Sequence, residues 1–436
     1  MTSHQNVELL LGLAVVVVLA RLLGALARRL DQPPVIGEVL AGILMGPTLF
    51  HGAISDHLFP TDIRPFLSAL ATVGVAVFMF IVGLDLDSTL ARGTGGFAVS
   101  VSLSSVLLPF GLGSALAFYL MGHHTTPDKT AFVLFCGIAM SITAFPVLAR
   151  ILTERGMHRT TLGTVALACA SIDDVLAWTA LAGVVAVTGA GGHDQWHILL
   201  LVPYALGMVF VLRPLLRRLI ATRTSPRLTP TAFAFVVAGL LVSAGATEWM
   251  GLHFIFGAFL LGAVIPREHT TALRSDIHDH LGRLGGVLLL PVFFLVAGLK
   301  VDLSHLGTDG LGDLALILLV AIGGKFAGAF LAARAQGMPQ RQSAALATLM
   351  NTRGLTELIV LSVGLSMGII DQELYSLMVV MAVVTTAMAG PLLRWIMPRR
   401  LIEDEAARGA VSGPADGAAA AAALDEDEPD AVRPAS

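Results

Sequence analysis

The sequence lacks most of the features of a soluble protein. Only 13% of its 436 residues are Asp, Glu, Lys or Arg, whereas a soluble domain carries about 25%. Two cysteines exclude a framework of several disulfides, and we expect Cys136 and Cys169, which lie in apolar runs, to be packing residues. The three lysines are Lys129, Lys300 and Lys325. A composition that is 55% hydrophobic and so poor in charge indicates a polytopic membrane protein.

Long hydrophobic runs take the place of the missing charge. A membrane-spanning helix needs about 20 mostly apolar residues. Thirteen such segments follow one another, at about 7–27, 34–50, 65–85, 96–120, 130–152, 161–188, 197–219, 230–249, 252–266, 284–302, 313–334, 342–369 and 374–397. The sequence therefore predicts an all-α polytopic membrane protein with 13 transmembrane helices over residues 1–402. The acidic, Ala-rich stretch 403–436 has no apolar periodicity, and we expect a disordered cytoplasmic tail there.

The arginines predict the orientation. If the N-terminus lies outside, the loops on the cytoplasmic side hold most of the basic residues, including Arg213, Arg217 and Arg218, whereas the external loops hold few. This asymmetry follows the positive-inside rule. The first apolar run has its arginines after it, so we interpret it as a retained helix and not as a signal peptide. The prediction is a multi-pass protein of a bacterial inner (plasma) membrane, with the N-terminus outside and the C-terminus cytoplasmic.

The chain repeats itself. Ile36-Gly37 and Ala41-Gly42 resemble Phe256-Gly257 and Leu261-Gly262, and FMFIVGLDLD (78–87) resembles FFLVAGLKVD (293–302). The order of the matches is the same in both halves, yet matched helices would run in opposite directions through the membrane. The pattern predicts an inverted repeat of 6+6 helices with the seventh as a connector helix. Secondary transporters are typically built in this way, with the substrate near the midplane at the repeat interface.

Two adjacent carboxylates lie at membrane depth. Asp173 and Asp174 occupy the middle of an apolar stretch, and a carboxylate at the centre of a bilayer costs roughly 2.5–3.5 kcal/mol even on the mildest scales. Neighbouring helix residues point about 100° apart, so one can face a positive partner while the other faces a cavity. Lys325 is a buried cation of the right kind. The pair with Lys325 suits a site that takes up and releases ions and protons, although a purely structural ion pair is the alternative.

Two helices are predicted to be broken. Pro146 lies deep in the fifth segment, and the matching twelfth segment carries Asn351, Arg353 and Glu357 with a glycine at the same depth. Non-helical backbone within a membrane is tolerated only inside protein or beside a cavity. Arg353 and Glu357 are four residues apart and can pair with each other or serve the exposed helix ends. A structural role and direct ion contact both remain open for this pair.

Other kinds of site have little support. No phosphate-binding loop, zinc-ligand spacing or nucleophile motif is present, so we expect no enzyme, no cofactor and no nucleic-acid partner. An intramembrane aspartyl protease also needs two aspartates, but on different helices and with a GxGD motif, which the sequence lacks. The segment with Asp276, His278 and His280 is either a conceivable pH sensor or a solvated surface helix. Metal binding by this segment has little support.

Several motifs in order resemble one family. They are PPVIGEVLAGILMGP (33–47), FIVGLDLD (80–87), SITAFPVLARIL (141–152), SIDDVLAW (171–178), the isolated Lys325 and NTRGLTELIVL (351–361). Over about residues 7–397 the chain resembles the monovalent cation:proton antiporter 2 family, of the sodium/proton exchanger type. The resemblance implies the sodium/proton antiporter fold, with two crossed discontinuous helices and an elevator-like motion, usually in a homodimer. It implies a dimerisation part at about 1–64 and 197–283, and a core, ion-transport part at about 65–190 and 284–402.

The resemblance also implies residue roles. Asp174 corresponds to the main ion and proton carboxylate, Asp173 to the partner of Lys325, and Thr143 and Ser171 to further parts of the site. The residues that correspond to the support of the helix crossover are Pro146, Asn351, Arg353 and Glu357. No metal other than the transported ion is expected. The resemblance implies that Na⁺ or K⁺ binds at Asp174, with Asp173 as a secondary contributor.

The expected function is exchange of a monovalent cation, Na⁺ first and K⁺ second, for protons, with net charge movement; its physiological role is left open among pH homeostasis, salt tolerance and ionophore self-resistance. One alternative is a potassium/proton efflux transporter of the Kef type, whose members usually carry Gln-Asp and a large nucleotide-binding domain; this chain departs from both. The other is a channel or sensor on the same scaffold. The sequence leaves cation selectivity, stoichiometry and pH set-point open. The expected partners are the cations, protons, the lipid bilayer and a second copy of the chain.

Overall fold

The structure is a computed structural model that describes residues 2–30, 32–48, 53–85, 95–157, 160–188, 200–221, 228–266, 270–304, 307–398 and 400–402. Within these ranges the chain forms helices and no strands. The predicted disordered tail, 403–436, lies outside the described residues.

The helices follow one another with short connections. In chain order they are α1 (Ser3–Arg29), α2 (Pro34–Met45), α3 (Ala53–Leu58), α4 (Arg64–Asp85), α5 (Gly95–Leu120), α6 (Lys129–Ser141), α7 (Phe145–Glu154), α8 (Thr161–Thr188), α9 (Leu201–Gly207), α10 (Arg213–Ala221), α11 (Pro230–Trp249), α12 (Phe254–Val264), α13 (Thr271–Leu284), α14 (Leu290–Leu299), α15 (Thr308–Ala335), α16 (Gln340–Met350), α17 (Leu355–Ser366) and α18 (Gln372–Ile396). Short π-helical turns, Met208–Leu212 and Gly285–Leu289, join α9 to α10 and α13 to α14.

The helices have the dimensions of membrane spans. Nine helical stretches within the described ranges are long and apolar enough to cross a membrane, by length and composition, and α2, α12 and α17 are shorter apolar helices. The all-α, polytopic membrane architecture predicted from the sequence is therefore confirmed. The count of thirteen crossings stays a prediction.

Four glycines show how the two halves pack. Gly42 of α2 meets Gly298 of α14, while Gly83 of α4 meets the backbone of Phe259 and Ala263 in α12, and Gly262 of α12 meets that of Phe80 and Leu84 in α4. A Cβ atom on any of the four glycines would overlap backbone of the facing helix. Small residues permit such close approach between membrane helices. In the sequence repeat Gly42 matches Gly262 and Gly83 matches Gly298. The contact of α2 with α14 and that of α12 with α4 are therefore equivalent, with the two halves of the chain in exchanged roles. Two inverted units related by a two-fold axis pack in this way.

The helices pack in two groups. In the first, α1, α2 and α4 pack with α11–α14; in the second, α5–α8 pack with α15–α18. The predicted boundaries at residues 64/65 and 283/284 place α4 and α14 with the second group, whereas the packing places both in the first. The reason is the close approach of α4 to α12 and of α14 to α2 at the glycines, which an apolar sequence pattern does not reveal. The roles predicted for the two parts stay predictions.

The tenth predicted span begins earlier than expected. The segment with Asp276, His278 and His280 forms α13 and continues through the π-helical turn into α14, so that helix runs over residues 271–299 and not from 284. The sequence analysis interprets this segment as a pH sensor or a solvated surface helix; a helix is present, and it is continuous with the following span. The turn Gly285–Leu289, which joins the two, packs against α4.

Candidate functional site

The first predicted break lies between α6 and α7. Helix α6 ends at Ser141, residues 142–144 have extended backbone, and α7 begins at Phe145. Pro146 lies in the first turn of α7, where its missing N–H leaves no hydrogen bond unmade. The proline therefore favours a new helix start just after the break.

The second break lies between α16 and α17, and the two breaks meet. The Ala144 N–H donates to the Thr352 carbonyl at 3.0 Å. The Thr143 hydroxyl lies 2.9 Å from the Met350 carbonyl oxygen, at the end of α16. The two interrupted helices thus face each other at their non-helical segments, and each supplies partners for backbone groups that the other leaves unpaired.

A buried arginine joins the two broken helices. Arg353 donates to the carbonyl oxygens of Ala139 and Met140, at 2.5 and 2.6 Å, in the last turn of α6. It also donates to Glu357 at 2.9 Å, and neither side chain is exposed. The C-terminal end of a helix carries partial negative charge and favours a cation. Arg353 therefore both pairs with Glu357 and serves the end of the opposite broken helix, two possibilities that the sequence left as alternatives.

Asp173 is surrounded by donors. Its carboxylate accepts from Ser102 at 2.5 Å, from Thr143 at 2.7 Å, from Lys325 at 3.0 Å and from Ser105 at 3.2 Å. Asp173 and Lys325 are both completely buried. A carboxylate in such a place is stabilised as an anion by these charged and neutral donors.

Asp174 has a different environment although it is the next residue. It is 2% exposed, and the backbone N–H of Phe145, at the start of α7, lies close to its carboxylate. Its Oδ1 atom accepts no hydrogen bond from the residues that the structure describes. A buried carboxylate oxygen without a donor is costly, and it is the kind of atom that a proton or a small cation can satisfy.

Glycines bring α5 and α15 together at this site. A Cβ atom on Gly328 would lie 2.5 Å from the carbonyl oxygen of Ser104, and one on Gly324 would lie 3.1 Å from Pro109. Because α15 has no side chains at these two positions, α5 approaches closely. Lys325 from α15 and Ser102 from α5 consequently reach the same carboxylate.

Two other predicted site residues make different contacts. The Ser171 hydroxyl donates to the Leu167 carbonyl of its own helix at 2.8 Å. The Asn351 amide nitrogen lies 4.0 Å from the sulfur of Met388, and its Oδ1 has no donor among the described residues. The structure thus brings Thr143, Asp173 and Lys325 into contact and leaves Ser171 turned toward its own backbone.

A cavity of about 340 Å³ reaches the start of α7. Its lining is mostly apolar, from α4, α7 and the α13–α14 helix, and includes Phe145, Pro146 and Asp85 together with His278. The His278 ring lies 3.9 Å from the Asp85 carboxylate. The cavity therefore lies between the two packing groups and reaches the first residues of α7.

Sequence reasoning missed two sets of polar residues. Ser102 and Ser105 are the first set. The second lies at the far ends of α5 and α15 and before α18: His123 is 3.0 Å from Asp313, and His124 is 3.4 Å from Asp313 and 3.2 Å from Asp371. In the described ranges no group of three or more His, Cys, Asp or Glu could hold a metal ion.

Comparison with known proteins gives consistent matches. The family model for "Sodium/hydrogen exchanger, transmembrane" matches residues 14–399. The Na⁺/H⁺ antiporter NhaS4 of Synechocystis sp. is 40% identical over 408 residues, which cover 91% of this chain and 99% of that protein. K⁺/H⁺ antiporter 1 of Saccharomyces cerevisiae is 33% identical over 416 residues, 91% of this chain and 47% of that protein. The chain spans about half the length of several such relatives, including Cation/H⁺ antiporter 20 of Arabidopsis thaliana (36% identical, 88% of this chain and 48% of that protein).

A solved structure shares the fold. The sodium proton antiporter MjNhaP1 of Methanocaldococcus jannaschii superposes with a TM-score of 0.60 at 17% identity, covering 92% of this chain and 99% of that one. At this identity the likeness shows the fold alone. The resemblance to monovalent cation:proton antiporters, predicted from the motifs, is confirmed by these matches.

Proposed function

Because the chain belongs to the sodium/hydrogen exchanger family, we propose that it exchanges a monovalent cation for protons across a membrane. The observation that carries the proposal is the contrast at the helix crossing: Asp173 is fully engaged by donors, whereas Asp174 keeps one buried oxygen that accepts no hydrogen bond from the described residues. Sodium is the first candidate cation and potassium the second, and both are held by carboxylate and backbone oxygens.

Competition at Asp174 makes the exchange obligatory. An ionised carboxylate binds a proton or a cation but not both well. With either one bound, the site is neutral or nearly so; empty, it carries an unpaired charge whose burial is expensive. The loaded and protonated forms can therefore cross between the two faces of the membrane, and the empty form cannot. A proton gradient then drives the cation in the opposite direction.

The Lys325–Asp173 pair supplies a second charge at the same place. A lysine buried beside a carboxylate gives up its proton more readily than one in water when that carboxylate is engaged elsewhere. If Lys325 loses its proton as the cation enters, more positive charge moves one way than the other, and the exchange is electrogenic. An asparagine or glutamine at position 173 could not form this ion pair.

The two packing groups suit an elevator-like motion. The group α5–α8 with α15–α18 contains every charged residue of the crossing, and it is the part that would move. The other group would be the fixed part, in contact with a second copy of the chain in a homodimer. The cavity between α4, α7 and α13 would then be the cytoplasmic access path, with the N-terminus outside and the C-terminus inside a bacterial membrane. Thr143 would contribute to the ion site, and Arg353 with Glu357 would hold the crossing together.

The names of the relatives do not decide between the two cations, so the experiment described below has to decide. The Synechocystis relative is named as a Na⁺/H⁺ antiporter and the yeast relative as a K⁺/H⁺ antiporter. Asp173 in place of glutamine distinguishes the chain from transporters of the Kef type. A channel or sensor on the same scaffold would not couple cation entry to proton movement.

The test uses everted vesicles that hold a pH gradient. Addition of Na⁺ or K⁺ should dissipate the gradient in vesicles with the wild-type protein and not in vesicles with Asp174→Ala. Asp309→Asn, which removes an exposed carboxylate at the start of α15, is the matched control and should behave as wild type. Folded wild-type protein that responds to neither cation between about pH 6 and 9 would contradict the proposal.

A further inference from the structure

We propose that Ser102 and Ser105 of α5 are positioning residues, which hold the Asp173 carboxylate in place while its contact with Lys325 opens and closes. Where transport is measured, the proposal rests on the proposed exchange function. Where stability is measured, it rests only on the contacts of the buried pair Asp173–Lys325.

The two oxygens of Asp173 have different donors. Ser102 donates to Oδ1 at 2.5 Å, whereas Lys325 donates to Oδ2 at 3.0 Å. Lys325 has another acceptor, the Ser141 carbonyl at 2.5 Å, so its ammonium group stays partly satisfied when it leaves the carboxylate. Asp173 is completely buried, and it depends on its remaining donors at that moment.

Those remaining donors are not equivalent. A hydroxyl group has one hydrogen to donate. Thr143 shares its hydrogen between Asp173 and the Met350 carbonyl, at 2.7 and 2.9 Å. Ser105 shares its own between Asp173 and the Ser102 carbonyl, at 3.2 and 2.9 Å. Ser102 makes its bond to Asp173 alone among the bonds in the described region. Ser102 is therefore the committed donor, and Ser105 is the secondary one.

The position of α5 is set by α15. The glycines of α15 bring the Ser104 backbone into contact at Gly328. The two serine donors, on α5, and the lysine, on α15, therefore belong to two helices in close contact. The charged and titratable groups that surround Asp173 are Asp174 and Cys169 on its own helix, Lys325 on α15 and, beyond the lysine, Arg353 with Glu357. None of these can replace a hydroxyl donor at Oδ1.

The transport test separates positioning from cation binding. Ser102→Ala should lower the maximal rate of exchange about ten-fold, since a hydrogen bond to a charged group is lost. The cation concentration for half-maximal rate should change less than about two-fold, because the surroundings of Asp174 are kept. Ser105→Ala should have a smaller effect on the rate. Ser102→Thr restores a hydroxyl and should recover part of it, and Ser104→Ala on the same helix is the matched control.

The stability test does not depend on transport. Thermal unfolding of the purified protein is compared for Ser102→Ala, Lys325→Ala and the double variant, with Lys325→Gln as a second variant should the alanine protein not fold. Because both residues donate to one buried carboxylate, the loss in Tm of the double variant should exceed the sum of the single losses by roughly 3 °C or more.

The outcomes separate the two proposals. Additive losses in Tm, together with a Ser102→Ala rate equal to that of Ser104→Ala, would overturn the positioning role even if the wild-type protein exchanges cations normally. A wild-type protein without exchange but with coupled losses in Tm would overturn the proposed function and leave the serine contacts to Asp173 standing.

Discussion

Asp173 and Asp174 are adjacent, both buried and chemically identical, yet their surroundings differ. Asp173 has four side-chain donors, one of them a lysine. Asp174 lies close to the backbone N–H at the start of α7, and its Oδ1 accepts no hydrogen bond from the part of the chain that the structure describes. The difference shows that burial alone does not identify the residue that binds the ion. A carboxylate that protein donors already satisfy holds the structure, and its neighbour with an unsatisfied oxygen is available to a ligand.

The largest effect is expected at Asp173. The Asp173→Asn variant leaves Lys325 buried without its counter-charge, and breaking a buried ion pair in this way costs about 3–5 kcal/mol. Asp174→Asn leaves no cation unpaired, so the free energy of unfolding should be unchanged or larger. Thermal unfolding of the two purified variants beside wild type measures the contrast. Equal losses of stability in both would remove the distinction between the two aspartates.

A smaller effect is expected at Thr143, which lies between Asp173 and the other broken helix. Thr143→Val keeps the shape of the side chain and removes the hydroxyl, which leaves the Met350 carbonyl with one donor fewer. The expected loss is about 1–3 kcal/mol in the free energy of unfolding. Thr143→Ser retains the hydroxyl and should keep most of the stability and the exchange rate. A serine variant as damaged as the valine variant would show that the methyl group, and not the hydroxyl, matters at the crossing.

The smallest effect is expected at His124, beyond the end of α5, where a charge pair lies near the surface. Burial opposes the charged ring, but the hydrogen bond and charge of Asp371, with the charges of Glu373 and Asp313, outweigh it and raise the pKa of His124. A raised pKa means that this stabilisation is complete below the ordinary histidine value of about 6.5 and is lost as the pH rises through the raised value.

The measurement for His124 is Tm against pH. Between about pH 6 and 9 the wild-type protein should lose about 0.5–1 kcal/mol of stability that His124→Gln does not lose. His123, which contacts the same Asp313 and is more exposed, provides the matched control as His123→Gln. Parallel curves for wild type and His124→Gln would show that the pKa of His124 is the same in the folded and unfolded protein, and would contradict the raised pKa.

The sequence predicts those features in which a single residue is energetically unexpected at its position. Asp173 and Lys325 are unmistakable because a charge in an apolar run is expensive, and the glycines of the repeat are visible because they recur at nearly constant spacing. The family and the all-helical membrane fold follow from these residues, and both are confirmed.

Features that depend on which helices touch are not visible in the sequence. Serine is compatible with any membrane helix, and Ser102 is 71 residues from the aspartate that it contacts. The grouping of α4 and α14 depends on backbone contacts at Gly83 and Gly298, and neither hydropathy nor charge records them. The continuity of α13 with α14 is likewise not visible, because the charges of α13 interrupt the apolar pattern while its backbone remains helical.

The most direct test of the central claim, that Asp174 and not Asp173 provides the open oxygen for the cation, is ligand-induced stabilisation. The Tm of purified protein is measured as NaCl or KCl replaces choline chloride at constant ionic strength. A cation that binds the folded state stabilises it by about 2.7 kcal/mol at one hundred times its Kd. The account predicts that one of the two cations raises the Tm of the wild-type protein and leaves that of Asp174→Asn unchanged. An equal rise in Asp174→Asn would contradict it.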